Sequence, residues 1–294
     1  MKRLTALIGA IILGISLFGC SRPRNCPQIA ATTLPVYEFT SLLCQNTGIG
    51  VTRLITENVS CLHDYTLQVD QMRAIEAADV IVISGLGLED FLTDAIPDSK
   101  DIIDAGMLTQ PATQTGEHHH QHEHDEHGHS QDPHIWLDPA CALIMAQTIC
   151  EGLILRYPAL ADTFRQNMVA LTEKFTQLQD YAHAQLSAIT CTELITFHDG
   201  FGYLASAFGL TILRAIEEES GSEASAGELI EIIQLVNEHR LTAVFTEKNG
   251  SCSAAEIIAK ETGIPIYQLD MCMSGESYFD AMYYNIDVLK EALK

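Results

Sequence analysis

Four residues spread along this chain share one placement. His63 and His134 follow the second and fourth segments of the first half that read as β-strands, His134 beyond a histidine-rich insertion, and His198 and Asp270 follow the first and last such segments of the second half. Three imidazoles and one carboxylate form a donor set suited to tetrahedral Zn2+, with bonds of about 2.0–2.2 Å. A single carboxylate also serves Mn2+ or Fe2+, so selectivity for zinc is not absolute. Each residue has a plainer reading as well. Asp64 beside His63 can open the helix that follows, His198-Asp199-Gly200 reads equally as a tight turn, and Asp270 can cap or close a loop. Cys61, two residues before His63, is a competing soft ligand. Asp64 and Asp199 are candidates to orient the imidazoles, and Trp136 reads as a packing anchor. His183 lies off the apolar stripe of its helix and His239 at a helix C-terminus, where a cation is favoured, so both read as structural.

A second concentration of donors is compositional. His118, His119, His120, His122, His124, His127 and His129 crowd the acidic stretch 117–129, EHHHQHEHDEHGH. Such a run has no apolar area to bury and cannot form a packed element. It reads as a low-affinity metal loop or as a solvated linker.

The ends and the composition bound the class of protein. Lys2 and Arg3 precede an uncharged apolar run that ends in Leu17-Phe18-Gly19-Cys20. That pattern reads as an export leader whose cleavage before Cys20 would leave the thiol to carry lipid. No later segment reads as long and apolar enough to cross a bilayer. The expectation is a body anchored outside the cytoplasmic membrane, at the cell surface or in the periplasm. The net charge of −23 disfavours nucleic acid as a partner, which needs clustered cations, and favours metal cations. Nine cysteines are present, none in a CxxC pair, so a structural zinc knot is not expected. Cys252 and Cys272 flank one helix–strand unit and make a reasonable disulfide pair.

The elements that must position these residues alternate in two blocks. Strands are expected at 28–33, 51–55, 79–84 and 101–104, with helices at 35–45, 67–77 and 139–154. After Pro158, Leu160, Phe164, Met168, Leu171, Phe175, Leu178, Ala182 and Leu186 step by three and four, which predicts one amphipathic helix of about 28 residues, roughly 40 Å long. Strands then recur at 193–197, 211–215, 241–246 and 265–269, with helices at 201–208, 228–239 and 253–262 and a last one from near Tyr278. Alternation of this kind implies an α/β fold of two Rossmann-like parallel-sheet lobes, which facing each other across their strand ends would bring the four donors into one interlobe cleft. The expected division is a leader over 1–19, an N-terminal lobe over 20–157, a long helix over 158–188 and a C-terminal lobe over 189–294. The blocks echo each other: ATTLPVYEFTSLL parallels LITFHDGFGYLASAF, and DVIVISGLGLEDFL parallels AVFTEKNGSCSAAEII.

The segments ATTLPVYEF, LHDYTLQ, ADVIVISGLGLE, DPHIWLDP, ITFHDGFGYLA and AVFTEKNGS, with Asp270 at a strand end, resemble the zinc/manganese solute-binding lipoproteins of ABC uptake systems. They cover nearly the whole chain in the family's order. The resemblance implies His63, His134, His198 and Asp270 as metal ligands, and a long α-helix, 158–188, that joins the two lobes and limits their closure. It also implies zinc over manganese, since His at the third position and a His-rich loop go with the zinc members. Its further implications are an ABC permease as partner, a lipid anchor, a monomer and, for some such lipoproteins, cell adhesion. Cys61-Leu62 before the first histidine departs from the family's usual Asp-Pro or Pro-Glu.

The leading expectation is a non-enzymatic binding protein that captures Zn2+ and delivers it to a permease. A manganese- or iron-binding member of the same family is the near alternative. A three-histidine zinc hydrolase would need an open metal position and a signature such as HExxH, which is missing from the sequence. A surface metal buffer acting through the histidine loop is a third reading. Because neutral imidazole is the ligand, metal binding is expected to weaken as pH falls through the ordinary histidine range near ~6.5.

Overall fold

A computed structural model describes residues 28–57, 62, 65–109, 132–217, 224–248, 250 and 252–294. His63, the histidines of 117–129, Cys20, Cys61 and Asp64 lie outside the described residues.

Strand–helix alternation yields two four-stranded parallel sheets. The first contains β1 (Gln28–Ala31), β2 (Gly50–Arg53), β3 (Val80–Ile83) and β4 (Asp101–Asp104) in the order β2-β1-β3-β4. The second contains β5 (Glu193–His198), β6 (Thr211–Glu217), β7 (Val244–Glu247) and β8 (Ile266–Leu269) in the order β6-β5-β7-β8. The two orders are equivalent, so the echo between the sequence blocks is a shared topology. β3, VIVI, is a continuous apolar run because helices cover both faces of a parallel sheet.

The helices start and stop where local chemistry directs. In lobe one α1 (Leu34–Leu43) has Pro35 in its first turn, and α2 is Val69–Ala77. α3 (Pro139–Arg156) begins at Asp138, whose carboxylate accepts from the Ala140 amide at 2.7 Å, with Pro139 at the first position. A short 3₁₀ turn at Pro158–Leu160 leads into α4 (Ala161–Leu186), 26 residues long. α5 (Gly202–Ala207), α6 (Ala226–His239), α7 (Ser253–Thr262) and α8 (Tyr278–Ala292) complete lobe two. α6 opens with a capping box between Ser225 and Glu228. It ends at Arg240, whose φ of 54° lets the Leu241 amide turn back to the Val236 carbonyl at 3.0 Å. That closing turn delays β7 to Val244, whereas the apolar pattern alone predicts a strand from Leu241.

α3 corrects the reading that no segment after the leader could cross a membrane, because its length and composition suffice. Here it is a packed helix. Ala142, Met145, Ile149 and Leu153 are buried where it lies against α1 and α4.

The long helix does not stand as a bare rod between separate halves. Its buried stripe of Phe164, Leu171, Phe175, Leu178, Ala182 and Leu186 faces α3 and α1 on one side and α8 on the other. Phe175 meets Phe39 of α1 at 5.3 Å and Phe279 of α8 at 5.1 Å, and Phe39 meets Tyr278 at 5.0 Å. One apolar core therefore runs from lobe one through α4 into the near side of lobe two, and a second, smaller one lies between β5–β7 and α6–α7. Each fully buried aromatic or aliphatic side chain contributes roughly 1.5–3 kcal/mol, so relative motion of the lobes must work against this shared packing.

The six described cysteines, Cys44, Cys141, Cys150, Cys191, Cys252 and Cys272, are all free thiols. The pairing of Cys252 with Cys272 is thereby corrected. Cys272 is fully buried with its sulfur on the Asp270 carbonyl, while Cys252 heads α7 with its sulfur toward Glu256. Flanking the same helix–strand unit did not bring the two sulfurs together, because the turn after β8 carries Cys272 into the apolar core.

Candidate metal centre

The carboxyl edges of both sheets face the interlobe cleft, and the two described histidines of interest meet there. His134 sits at the head of a 3₁₀ turn, Ile135–Leu137, after the first sheet. It is only 5% exposed. Ile135, Trp136 and Leu137 are wholly buried and anchor that turn. Asp132 Oδ1 accepts both the His134 amide at 2.9 Å and its ring Nδ1 at 2.7 Å. A carboxylate on Nδ1 holds the proton there and leaves the Nε2 lone pair for a metal.

His198 is the last residue of β5, and its Nε2 is sealed from solvent. The two imidazoles stand at right angles, 89°, with centroids 5.5 Å apart. Gly200 shows which edges converge. A Cβ built on Gly200 would lie 2.8 Å from His198 Cδ2, 3.1 Å from His134 Cε1 and 2.7 Å from Met271 Cε. One edge of each ring, at Cδ2 of His198 and Cε1 of His134, therefore borders one small space walled by Gly200 and Met271.

Asp270 follows β8 and is 7% exposed. Its backbone is locked by Asn285 of α8, which accepts from the Asp270 amide and donates to its carbonyl, both at 2.7 Å. Its Oδ1 accepts from the Cys272 amide at 2.8 Å, and its Oδ2 faces Lys248 Nζ at 3.3 Å. The loop-closing role considered from sequence is therefore real. The next residue, Met271, touches the histidine space, and its carbonyl accepts from Trp136 Nε1 at 2.8 Å. Among the described residues, no three or more His, Cys, Asp or Glu side chains are gathered so as to hold a metal ion. His134 and His198 are brought together, Asp270 lies one residue from their common wall with its carboxylate turned to Lys248, and His63 is outside the described residues. Its neighbour Leu62 is fully buried in lobe one.

Lobe one grips the loop that carries Asp270. Arg53 donates to the carbonyls of Met273 at 2.8 Å and Gly275 at 2.6 Å. Tyr278 donates its hydroxyl to the Trp136 carbonyl at 2.8 Å, and Glu38 of α1 accepts from the Tyr278 amide. Burial raises the Glu38 carboxyl above its ordinary range, against the lowering effect of the Tyr278 amide and the Ser277 hydroxyl. A second buried carboxylate, Glu89, ties the carboxyl ends of β1 and β3. It accepts from Thr32 Oγ1 at 2.6 Å and from the Ser84 and Gly85 amides at 2.7 and 3.0 Å. Burial raises its pKa too.

Of the carboxylates expected to orient the imidazoles, Asp64 lies outside the described residues and Asp199 directly follows His198; the carboxylate on the His134 ring is Asp132. The signal was present in the DPH tripeptide, which holds a carboxylate two residues before the ring. Lys248 and Asn285 carry no such local signal, because each meets Asp270 only through strand register or helix docking. His183 is exposed and His239 pairs with Glu193 at 2.9 Å, both away from the cleft.

Comparison with known proteins agrees with this architecture. A family model described as ZnuA, zinc-uptake complex component A periplasmic, matches residues 29–292. The zinc-binding lipoprotein AdcA of Streptococcus pneumoniae (strain ATCC BAA-255 / R6) is 29% identical over 313 residues, covering 99% of this chain and 61% of AdcA. The chain thus spans about 61% of the length of that relative. The crystal structure of ZnuA has a TM-score of 0.78 at 25% identity, covering 92% of this chain and 100% of that one. The Zn(II)-bound ZnuA-like domain of Streptococcus pneumoniae AdcA gives 0.75 at 26% identity, covering 92% and 99%. The fold is that of a two-lobed solute-binding protein with a long connecting helix. The chain belongs to the ZnuA family, component A of zinc-uptake complexes.

Proposed function

We propose that this chain is a non-enzymatic, extracytoplasmic Zn2+-binding protein that delivers the ion to an ABC permease for uptake. The observation that carries the reading is the convergence of the His134 and His198 rings at Gly200, with Asp132 holding Nδ1 of His134. Neutral imidazole nitrogens suit zinc. In this reading His63 and Asp270 complete the set, Asp270 by turning from Lys248. Four protein ligands leave no position for an activated water, which is the reason to prefer binding over hydrolysis. Family membership and the zinc-binding relatives support the metal and the route. Residues 20–157 and 189–294 act as the two lobes, 158–188 as the linker, Cys20 as the lipid anchor after removal of 1–19, and the histidines of 117–129 as weak additional sites. The protein works as a monomer.

The test is metal analysis and titration of untagged protein beside His198→Ala and a 117–129 deletion. Trp136 is the only tryptophan in the chain, and its ring centroid is 5.3 Å from that of His134, so its emission follows occupancy. One tight zinc site, kept by the deletion and lost in His198→Ala, is expected. A tight site that survives His198→Ala would overturn the assignment.

A further inference from the structure

β7 and β8 are parallel neighbours with Glu247 opposite Leu269. The Lys248 amide continues the ladder to the Leu269 carbonyl at 2.9 Å. Register therefore sets Lys248 and Asp270, the next residue on each strand, side by side at the carboxyl edge of the sheet. Lys248 Nζ lies 3.3 Å from Asp270 Oδ2 and 5.0 Å above the Tyr284 ring, whose hydroxyl is tied to the Gln268 carbonyl at 3.1 Å. The lysine side chain is 51% exposed and the aspartate side chain 10%.

We infer that Lys248 is an internal counter-ion to Asp270 that an arriving divalent cation must displace, so that it weakens binding and speeds release of the ion. This rests on zinc capture with Asp270 as a ligand. A nearly buried carboxylate with no cation beside it is unfavourable, and the lysine answers that need when the metal is away. A dication on the same carboxylate would stand against an ammonium, and the two repel. Asp270 is locked through its backbone by Asn285, whereas Lys248 has a flexible stem and open solvent behind it. The lysine is the partner that gives way, and it remains poised to return as the ion leaves. A cargo site gains from such a competitor, because delivery requires dissociation.

The test uses the full chain, with zinc affinity measured by competition against a chelator and dissociation followed by stopped flow. Lys248→Met should bind zinc about fivefold more tightly and release it more slowly, which is ~1 kcal/mol at about 1.4 kcal/mol per decade. Lys248→Gln should behave like Lys248→Met, and stands in for it should that variant misfold. Lys248→Arg, which keeps the charge, should stay near wild type. Equal or weaker binding in both neutral variants, with the site still lost in His198→Ala, would overturn the role of Lys248 alone. A tight site that persists in His198→Ala would overturn the capture reading and this inference with it.

Discussion

Gly200→Ala is the sharpest probe of the histidine pair. The new methyl would stand 2.7 Å from Met271 Cε, 2.8 Å from His198 Cδ2 and 3.1 Å from His134 Cε1. Carbon atoms in ordinary contact are about 3.5–4.0 Å apart, so overlaps reach roughly 0.8 Å. Met271 can swing its terminal methyl aside, since an unbranched thioether adapts at little cost. The rings have less freedom. His134 is tied to Asp132 at 2.7 Å and packs edge-on to Trp136, and His198 ends a central strand. Overpacking of this kind costs about 1–3 kcal/mol. Part of the strain is relieved by pushing the two rings apart, and zinc–nitrogen bonds near ~2.0–2.1 Å tolerate little of that. Zinc affinity should fall about 10–100-fold, the range associated with disturbing a metal-orienting group. Competition titration measures the affinity, and thermal unfolding in chelator reports the stability cost separately. A folded Gly200→Ala protein that binds zinc as tightly as wild type would refute convergence of the rings at this glycine.

Three further outcomes are expected. Asp132→Asn keeps the shape but removes the anionic acceptor on His134 Nδ1, and should weaken zinc binding about tenfold or more in the same titration without changing the far-UV circular dichroism. Burial raises the Glu89 pKa, so its contribution to stability is fully present below the ordinary glutamate value of 4.5 and is lost as pH rises through the raised one. Urea unfolding of wild type and Glu89→Gln should therefore show the wild type losing stability relative to the variant as pH climbs; parallel curves would count against a shifted Glu89. Non-reducing peptide mapping should find no bridge between Cys252 and Cys272, and alkylation of native protein should modify Cys252 well before buried Cys272, whose thiol burial also pushes far up in pKa.

Much of the architecture was legible because it is written in local patterns. β4 at Asp101–Asp104 and α7 at Ser253–Thr262 occur with the bounds read from sequence. The long helix α4 followed from apolar steps of three and four. Short strands were less sharp at their ends, as at Leu241, where the helix cap uses residues that their apolar character assigned to β7. Cys252 and Cys272 failed as a pair because proximity in sequence says nothing about which side of a sheet each sulfur reaches.

The order and types of residues alone determined two parallel α/β lobes and one long amphipathic helix, since burial of apolar periodicity is a local consequence of the chain. Tertiary structure decided the rest. It set the rings of His134 and His198 at right angles around Gly200, put Asp132 behind one of them, and handed Asp270 to Lys248 and Asn285. Those contacts join residues on different elements, and their distances come from sheet register and helix docking, which no stretch of sequence encodes by itself.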